Sequence, residues 1–256
     1  MKVAGIDVGS STAKAVILDN DTLHYSLKQV ENTWKVEAKE ILEAVLKKGG
    51  LQRGDLDFVV ATGLVDDDWE GADDWLSDVS CSANGAMYFF PDVRTVIDLG
   101  AETSRVNLCD ETGIVTDYKS NQKCASGSGM FLEIVASALE VGLDKMGELG
   151  LKSKKDIIMN STCAVYAESE VISLIHLGEQ REDILMAVYN MIASKIASMA
   201  KSMKFREDVV FIGGGAKNVG LVKALSNALG VEVLVPENPQ IINALGAAIE
   251  ARELVG

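Results

Sequence analysis

Apolar residues along this chain fall into two periods, and the switches between them mark its elements. Two blocks share one build. Gly5–Asp19 reads GIDVGSSTAKAVILD and Val96–Asp110 reads VIDLGAETSRVNLCD. Each is an apolar run, a carboxylate near its end, a reversal of small residues, and a second apolar run. That pattern predicts strand, tight turn, strand. In register, Asp7 matches Asp98, Gly9 matches Gly100, Thr12 matches Thr103, Lys14 matches Arg105 and Asp19 matches Asp110. The copies lie about 91 residues apart, as expected of a duplicated unit.

Around these blocks the period changes. TLHYSL predicts a third strand, and NTWKVEAKEILEAVLKKGG a helix stopped by Gly49-Gly50. DFVVATG reads as a strand and DDWLSDVSCSANGAMYFF as a helix. Helical spacing returns in Met130–Val141, Ala164–Leu177 and Ile184–Met203. DVVFIGGGAKN is a strand running into a glycine turn, LVKALSNAL a helix, VEVLVP a strand and NALGAAIEARELV a closing helix. Strands alternating with helices predict an α/β fold. The expected division is residues 1–93 and 94–256, with a final helix over about 241–254 that could pack back on the first half.

Composition narrows the function. A 256-residue chain that is 48% apolar can bury a sizeable core. A formal charge of −14 disfavours nucleic acid and anionic membranes as partners. No apolar run approaches the roughly 18 residues of a membrane-spanning helix. The N-terminus enters a strand with no export pattern, and the four cysteines (Cys81, Cys109, Cys124, Cys163) are scattered. A reducing cytoplasmic setting without a disulfide framework is the expectation.

The chemistry concentrates in the turns. Gly9-Ser10-Ser11-Thr12, Gly100-Ala101-Glu102-Thr103 and Gly213-Gly214-Gly215 each follow an apolar strand. Glycine lets backbone N–H groups approach a phosphate closely, and hydroxyls add donors. Asp7 and Asp98 stand just before two of these turns, where a carboxylate can hold Mg²⁺ directly or through its waters. Neither a Walker motif nor G-x-G-x-x-G is present.

This pattern resembles the actin, heat-shock-chaperone and sugar-kinase ATPase superfamily. The resemblance implies two duplicated actin-like (ribonuclease H-like) halves with a nucleotide cleft between them. The Asp7 turn would be the first phosphate loop and the Asp98 turn the second. IGGGAKN, with Gly213, Gly214, Gly215, Lys217 and Asn218, would be the adenosine loop. Asp7 and Asp98 would serve Mg²⁺ and water. Gly9, Ser10, Ser11, Thr12, Lys14, Gly100 and Ala101 would serve ATP or ADP.

CASGSGMFLE, STCAVYAESEVISLI and GGGAKNVGLVKAL extend the likeness. Together they resemble the BadF/BadG/BcrA/BcrD-type ATPases. These activate 2-hydroxyacyl-CoA dehydratases or form the ATP-binding subunits of benzoyl-CoA reductases. The resemblance implies that Cys124 and Cys163 are ligands of one [4Fe–4S] cluster shared with a second subunit. Such a cluster usually takes four thiolates, so each subunit supplies two. A homodimer or a paralogous heterodimer, a ferredoxin or flavodoxin donor, and a CoA-thioester dehydratase or reductase as acceptor follow from the same resemblance. The second phosphate loop departs from the activators' usual Gly-Gly-Gln-Asp. Its Gly-Ala-Glu form looks closer to an ATPase subunit of benzoyl-CoA reductase. Glu102 could orient the attacking water, or its charge could hamper hydrolysis. Leu64-Val65-Asp66 replaces a Tyr-Gly-Arg common in the family. Two other readings stand beside this one: a small-molecule kinase of the same fold, and a nucleotide-binding regulatory scaffold.

Overall fold

The computed structural model describes residues 1–20, 22–67, 69–121, 128–159 and 164–256, with only the backbone at 164 and 165. The chain divides into two compact units. One comprises Met1–Val93, Cys109–Thr116 and Pro236–Gly256; the other comprises Arg94–Leu108 and Asp117–Val235.

The first unit holds strands β1 (Lys2–Val8), β2 (Thr12–Asp19), β3 (Thr22–Gln29), β4 (Phe58–Gly63) and β5 (Asp74–Trp75), in sheet order β3-β2-β1-β4-β5. β1 pairs antiparallel with β2 and parallel with β4. Helix α1 (Trp34–Gly49) ends where Gly50 turns left-handed at φ 66° and its N–H reaches the Leu46 and Lys47 carbonyls. One face of the sheet (Ile6, Val8, Ala13, Ile17) packs on Ile41 and Val45 of α1. The opposite face (Val3, Val16, Val60) packs on Ala244, Leu245 and Ala248 of the last helix, α8 (Ile242–Val255). The DDW stretch expected to open a helix instead pairs Asp74-Trp75 with β4. Helix α2 (Asp78–Phe89) begins only after Ser77, whose side chain accepts the Ser80 N–H.

The second sheet, in order β10-β9-β6-β7-β8, repeats the arrangement of the first. It contains β6 (Thr95–Leu99), β7 (Ser104–Cys109), β8 (Val115–Asn121), β9 (Val209–Ile212) and β10 (Val233–Leu234). β6 is antiparallel to β7 and parallel to β9, as β1 is to β2 and β4. Its helices are α3 (Gly129–Ala138), α4 (Met146–Gly150), α5 (Ala164–His176), α6 (Arg181–Ser202) and α7 (Val219–Leu229). They bury Phe131, Leu185, Tyr189 and Ile192 against Ile97, Leu99 and Val106 of the sheet. Each such side chain contributes about 1.5–3 kcal/mol of burial. Among the described residues, no helix is long and apolar enough to cross a membrane.

Candidate functional site

The first turn is built by β1 and β2. Gly9 N–H donates to the Thr12 carbonyl at 2.9 Å and closes the reversal. Asp7 and Lys14 face each other in the strand register, both buried. The Lys14 ammonium donates to Asp7 Oδ2 at 2.9 Å and to the Thr12 carbonyl at 3.1 Å. In this structure Lys14 thus pairs with the carboxylate at the root of the turn. Ser10 lies exposed at the tip, while Ser11 Oγ donates to Gln29 Oε1 at 3.4 Å.

The second turn has the same closure, Gly100 N–H to the Thr103 carbonyl at 2.9 Å. Asp98 and Arg105 occupy the register places of Asp7 and Lys14. This turn carries an attachment of its own. Gly129 N–H donates to the Gly100 carbonyl at 2.9 Å, and Met130 N–H to the Ala101 carbonyl at 2.8 Å. The first turn of α3 is therefore pinned to the loop. Glu102 is exposed at the tip.

The third turn follows β9. Gly213 takes φ 84°, and Gly214–Lys217 form a 3-10 turn. Gly215 passes over Leu99 so closely that a Cβ would displace its side chain. Asn218 is held at both ends. Its Oδ1 accepts the Leu221 N–H at 3.0 Å, capping α7, and its Nδ2 donates to Tyr189 Oη at 3.2 Å. Lys217 is exposed. Tyr189 is wholly buried, and a Cβ at Gly150 or Gly220 would come within 2.5 Å of its ring. Burial pushes its hydroxyl up to about 12. The helical pattern of Ile184–Met203 places Tyr189 in the core; no local signal ties it to Asn218.

Asp7 and Asp98 offer hard oxygen donors, and Asp7 already lies against a cationic nitrogen. Both features fit Mg²⁺. Among the described residues no three His, Cys, Asp or Glu side chains gather as a metal cage. Mg²⁺ held at either carboxylate would take its other ligands from phosphate or water. Cys124 and Cys163 lie outside the described residues. Cys81 and Cys109 are fully buried thiols, and burial pushes the Cys81 thiol up to about 12. Both behave as small core side chains.

Residues 4–251 match the BadF/BadG/BcrA/BcrD ATPase family. The chain belongs to this family. It is 40% identical to the (R)-2-hydroxyglutaryl-CoA dehydratase activating ATPase of Acidaminococcus fermentans, over 96% of this chain and 95% of that protein. It is 32% identical to a benzoyl-CoA reductase subunit of Thauera aromatica, over 96% of this chain and 91% of that protein. The solved structure of the activator of 2-hydroxyisocaproyl-CoA dehydratase from Clostridium difficile, with bound ADPNP, superposes with a TM-score of 0.93 at 34% identity, covering 99% of this chain and 95% of the other. The fold of the family member is thus the actin-like ATPase fold implied by its duplicated turns. Overall identity is higher to the activating ATPase than to the reductase component.

Proposed function

We propose that this family member is an ATP-hydrolysing electron-transfer component that drives low-potential electrons to a partner acting on a CoA thioester. The observation that carries this reading is the docking of α3 on the second turn. The carbonyls of Gly100 and Ala101 hold the first N–H groups of the helix that begins five residues after Cys124. A change in the turn when nucleotide binds is then felt at the cysteine segment.

In this reading Asp7 and Asp98 hold Mg²⁺ and its waters. Gly9, Ser10, Ser11, Thr12, Gly100 and Ala101 meet the phosphates, and Gly213–Gly215 with Lys217 meet the adenosine. Asn218, which caps α7, ends the same loop beside them. A Mg²⁺ held at Asp7 would stand in for the Lys14 ammonium there, and Lys14 would then be placed to meet a phosphate oxygen. Glu102, exposed at the tip of the second turn, orients water.

Cys124 and Cys163 bind one [4Fe–4S] cluster together with the same two cysteines of a second copy or a paralogue. When bound, the cluster supplies one electron at a time at low potential. Cys163 immediately precedes α5, whose N-terminal dipole favours the thiolate. At the root of the same segment, buried Asp183 accepts the N–H groups of Lys154 (2.8 Å) and Lys155 (3.0 Å) and the Ser153 hydroxyl (2.9 Å). A ferredoxin or flavodoxin is the donor, and a 2-hydroxyacyl-CoA dehydratase or benzoyl-CoA reductase component the acceptor.

Anaerobic purification tests this directly. Iron and acid-labile sulfide are expected at one cluster per two chains, with ATP turnover that responds to reduction. A Cys124→Ser variant should lose the iron and weaken the dimer. A colourless wild-type protein without iron or sulfide would sink the cluster reading.

A further inference from the structure

Two glycines occupy matching places beside the two carboxylates. β4 runs parallel to β1 with Thr62 opposite Asp7 and Gly63 opposite Val8. β9 runs parallel to β6 with Ile212 opposite Asp98, and Gly213 follows. Gly63 has φ 78° and Gly213 has φ 84°. A Cβ built on Gly63 would lie 2.7 Å from Asp7 Oδ1 and 2.5 Å from the Val8 carbonyl. A Cβ on Gly213 would lie 2.5 Å from both Asp98 Oδ1 and the Leu99 carbonyl. In each unit a carboxylate oxygen fills the volume that any other residue would take.

A turn that merely needs left-handed backbone explains only half of this. Gly50, Gly178 and Gly230 also have positive φ, and a Cβ on any of them would meet nothing within 4 Å. Those three satisfy the backbone alone. At Gly63 the backbone demand coincides with a carboxylate packed over the Cα, and the coincidence recurs at Gly213 on the other sheet. Asp7 Oδ1 rests in that hollow while Oδ2 takes the Lys14 ammonium.

We infer that Gly63 is a positioning residue for Asp7, as Gly213 is for Asp98. By lacking a Cβ, each sets the rotamer in which its aspartate presents oxygen to a cation. The inference rests on the proposed Mg²⁺ role of the two aspartates. Gly63 lies outside the three glycine turns, and no phosphate-loop pattern in the sequence singles it out.

The test is calorimetric titration of ADP into the full chain at graded Mg²⁺, with melting temperatures recorded in parallel. Gly63→Ala should need about tenfold more Mg²⁺ to reach half its full ADP affinity, the scale seen when a residue that orients a metal ligand is lost. Gly50→Ala carries the same kind of backbone strain over open space and should stay within about twofold of wild type. Gly63→Asn tolerates left-handed φ but keeps the Cβ. It should show the same Mg²⁺ shift with a smaller loss of melting temperature, which keeps the test alive should the alanine variant fail to fold. Adding Gly63→Ala to Asp7→Asn should produce no further shift, because the glycine acts through the carboxylate. A Mg²⁺ requirement in both Gly63 variants equal to that of Gly50→Ala, or additive shifts in the double variant, overturns the inference. Wild-type ADP binding that ignores Mg²⁺ overturns the underlying metal reading itself, and is visible before any substitution is made.

Discussion

The Asp7 and Asp98 turns are copies that have been wired differently. Both close with a glycine N–H on a threonine carbonyl at 2.9 Å. Both set an aspartate opposite a basic residue and beside a left-handed glycine. Their outer carbonyls, however, are spent on different elements. In the first turn the Ser11 carbonyl accepts Val30 N–H at 2.9 Å, just past the end of β3, so the loop is tied to its own sheet. In the second, Gly100 and Ala101 are tied to α3. The turn was duplicated, and the helix bonded to the second copy follows Cys124 in the chain. The difference points to a division between a turn that holds and a turn that transmits.

Removing the shared chemistry should have the largest effect. Asp7→Asn and Asp98→Asn should each lower ATP turnover by about 100-fold or more, measured as phosphate release. Asp7→Asn should also lower the melting temperature, because it strands the buried Lys14 ammonium; losing one partner of such a pair costs about 3–5 kcal/mol. Near-normal turnover in either variant would break the equivalence of the copies at its root.

The wiring difference predicts the next effect. A Cβ at Gly129 would lie 3.0 Å from the Gly100 carbonyl, so Gly129→Val should lift α3 from its turn. Electrons delivered per ATP should fall about fivefold or more, the lower end of coupling energies, while ADP still binds. Val30→Pro removes the matching N–H in the first unit. It should cost about 1 kcal/mol of stability and leave the electron-to-ATP ratio where it was. Equal losses of coupling in the two variants would erase the distinction.

Smaller still is the support behind the third turn. Tyr189→Phe keeps the ring between Gly150 and Gly220 but removes the acceptor for Asn218 Nδ2. That is worth about 1 kcal/mol, read as about fivefold weaker ADP binding with the fold intact.

The first unit also uses an ion pair at a buried carboxylate to hold α1, and its pH dependence shows only in acid. Glu37 is wholly buried, pairs with Lys28 at 2.8 Å, and accepts the N–H groups of Glu31 (2.9 Å) and Asn32 (2.8 Å). Lys28, and then the Glu31 N–H, hold its carboxyl down at about 2, below an ordinary value of 4.5. The contribution is therefore complete above about pH 4.5 and is lost as the pH falls toward 2. Melting temperature against pH should decline through that window. Glu37→Gln should flatten the decline while lowering the neutral value.

Much of this is legible in the chain. The strand-turn-strand blocks, their duplication and their aspartates are local patterns a few residues wide, and side-chain period encodes them directly. The equivalence of Gly63 with Gly213 is not legible. One sits in Thr62-Gly63-Leu64 and the other in Ile212-Gly213-Gly214, with no shared neighbours. Edge strand β5 is also hidden, because Asp74-Trp75 carries no alternation and is a strand only through its pairing with β4. Asn218 reads as a nucleotide contact because it ends a glycine turn. Its partner Tyr189 lies 29 positions earlier in a helix whose apolar spacing explains it already.

By itself, then, the sequence determined the α/β class, the duplicated turns and the family. All of these are written in short-range spacing and in the identity of a few turn residues. Tertiary structure alone decided which glycine faces which carboxylate, where Lys14 rests, and which turn is bonded to the helix after Cys124. Those outcomes depend on parallel strand pairing and helix docking between segments far apart in the chain. Their register is set by whole faces packing together, not by any residue's neighbours.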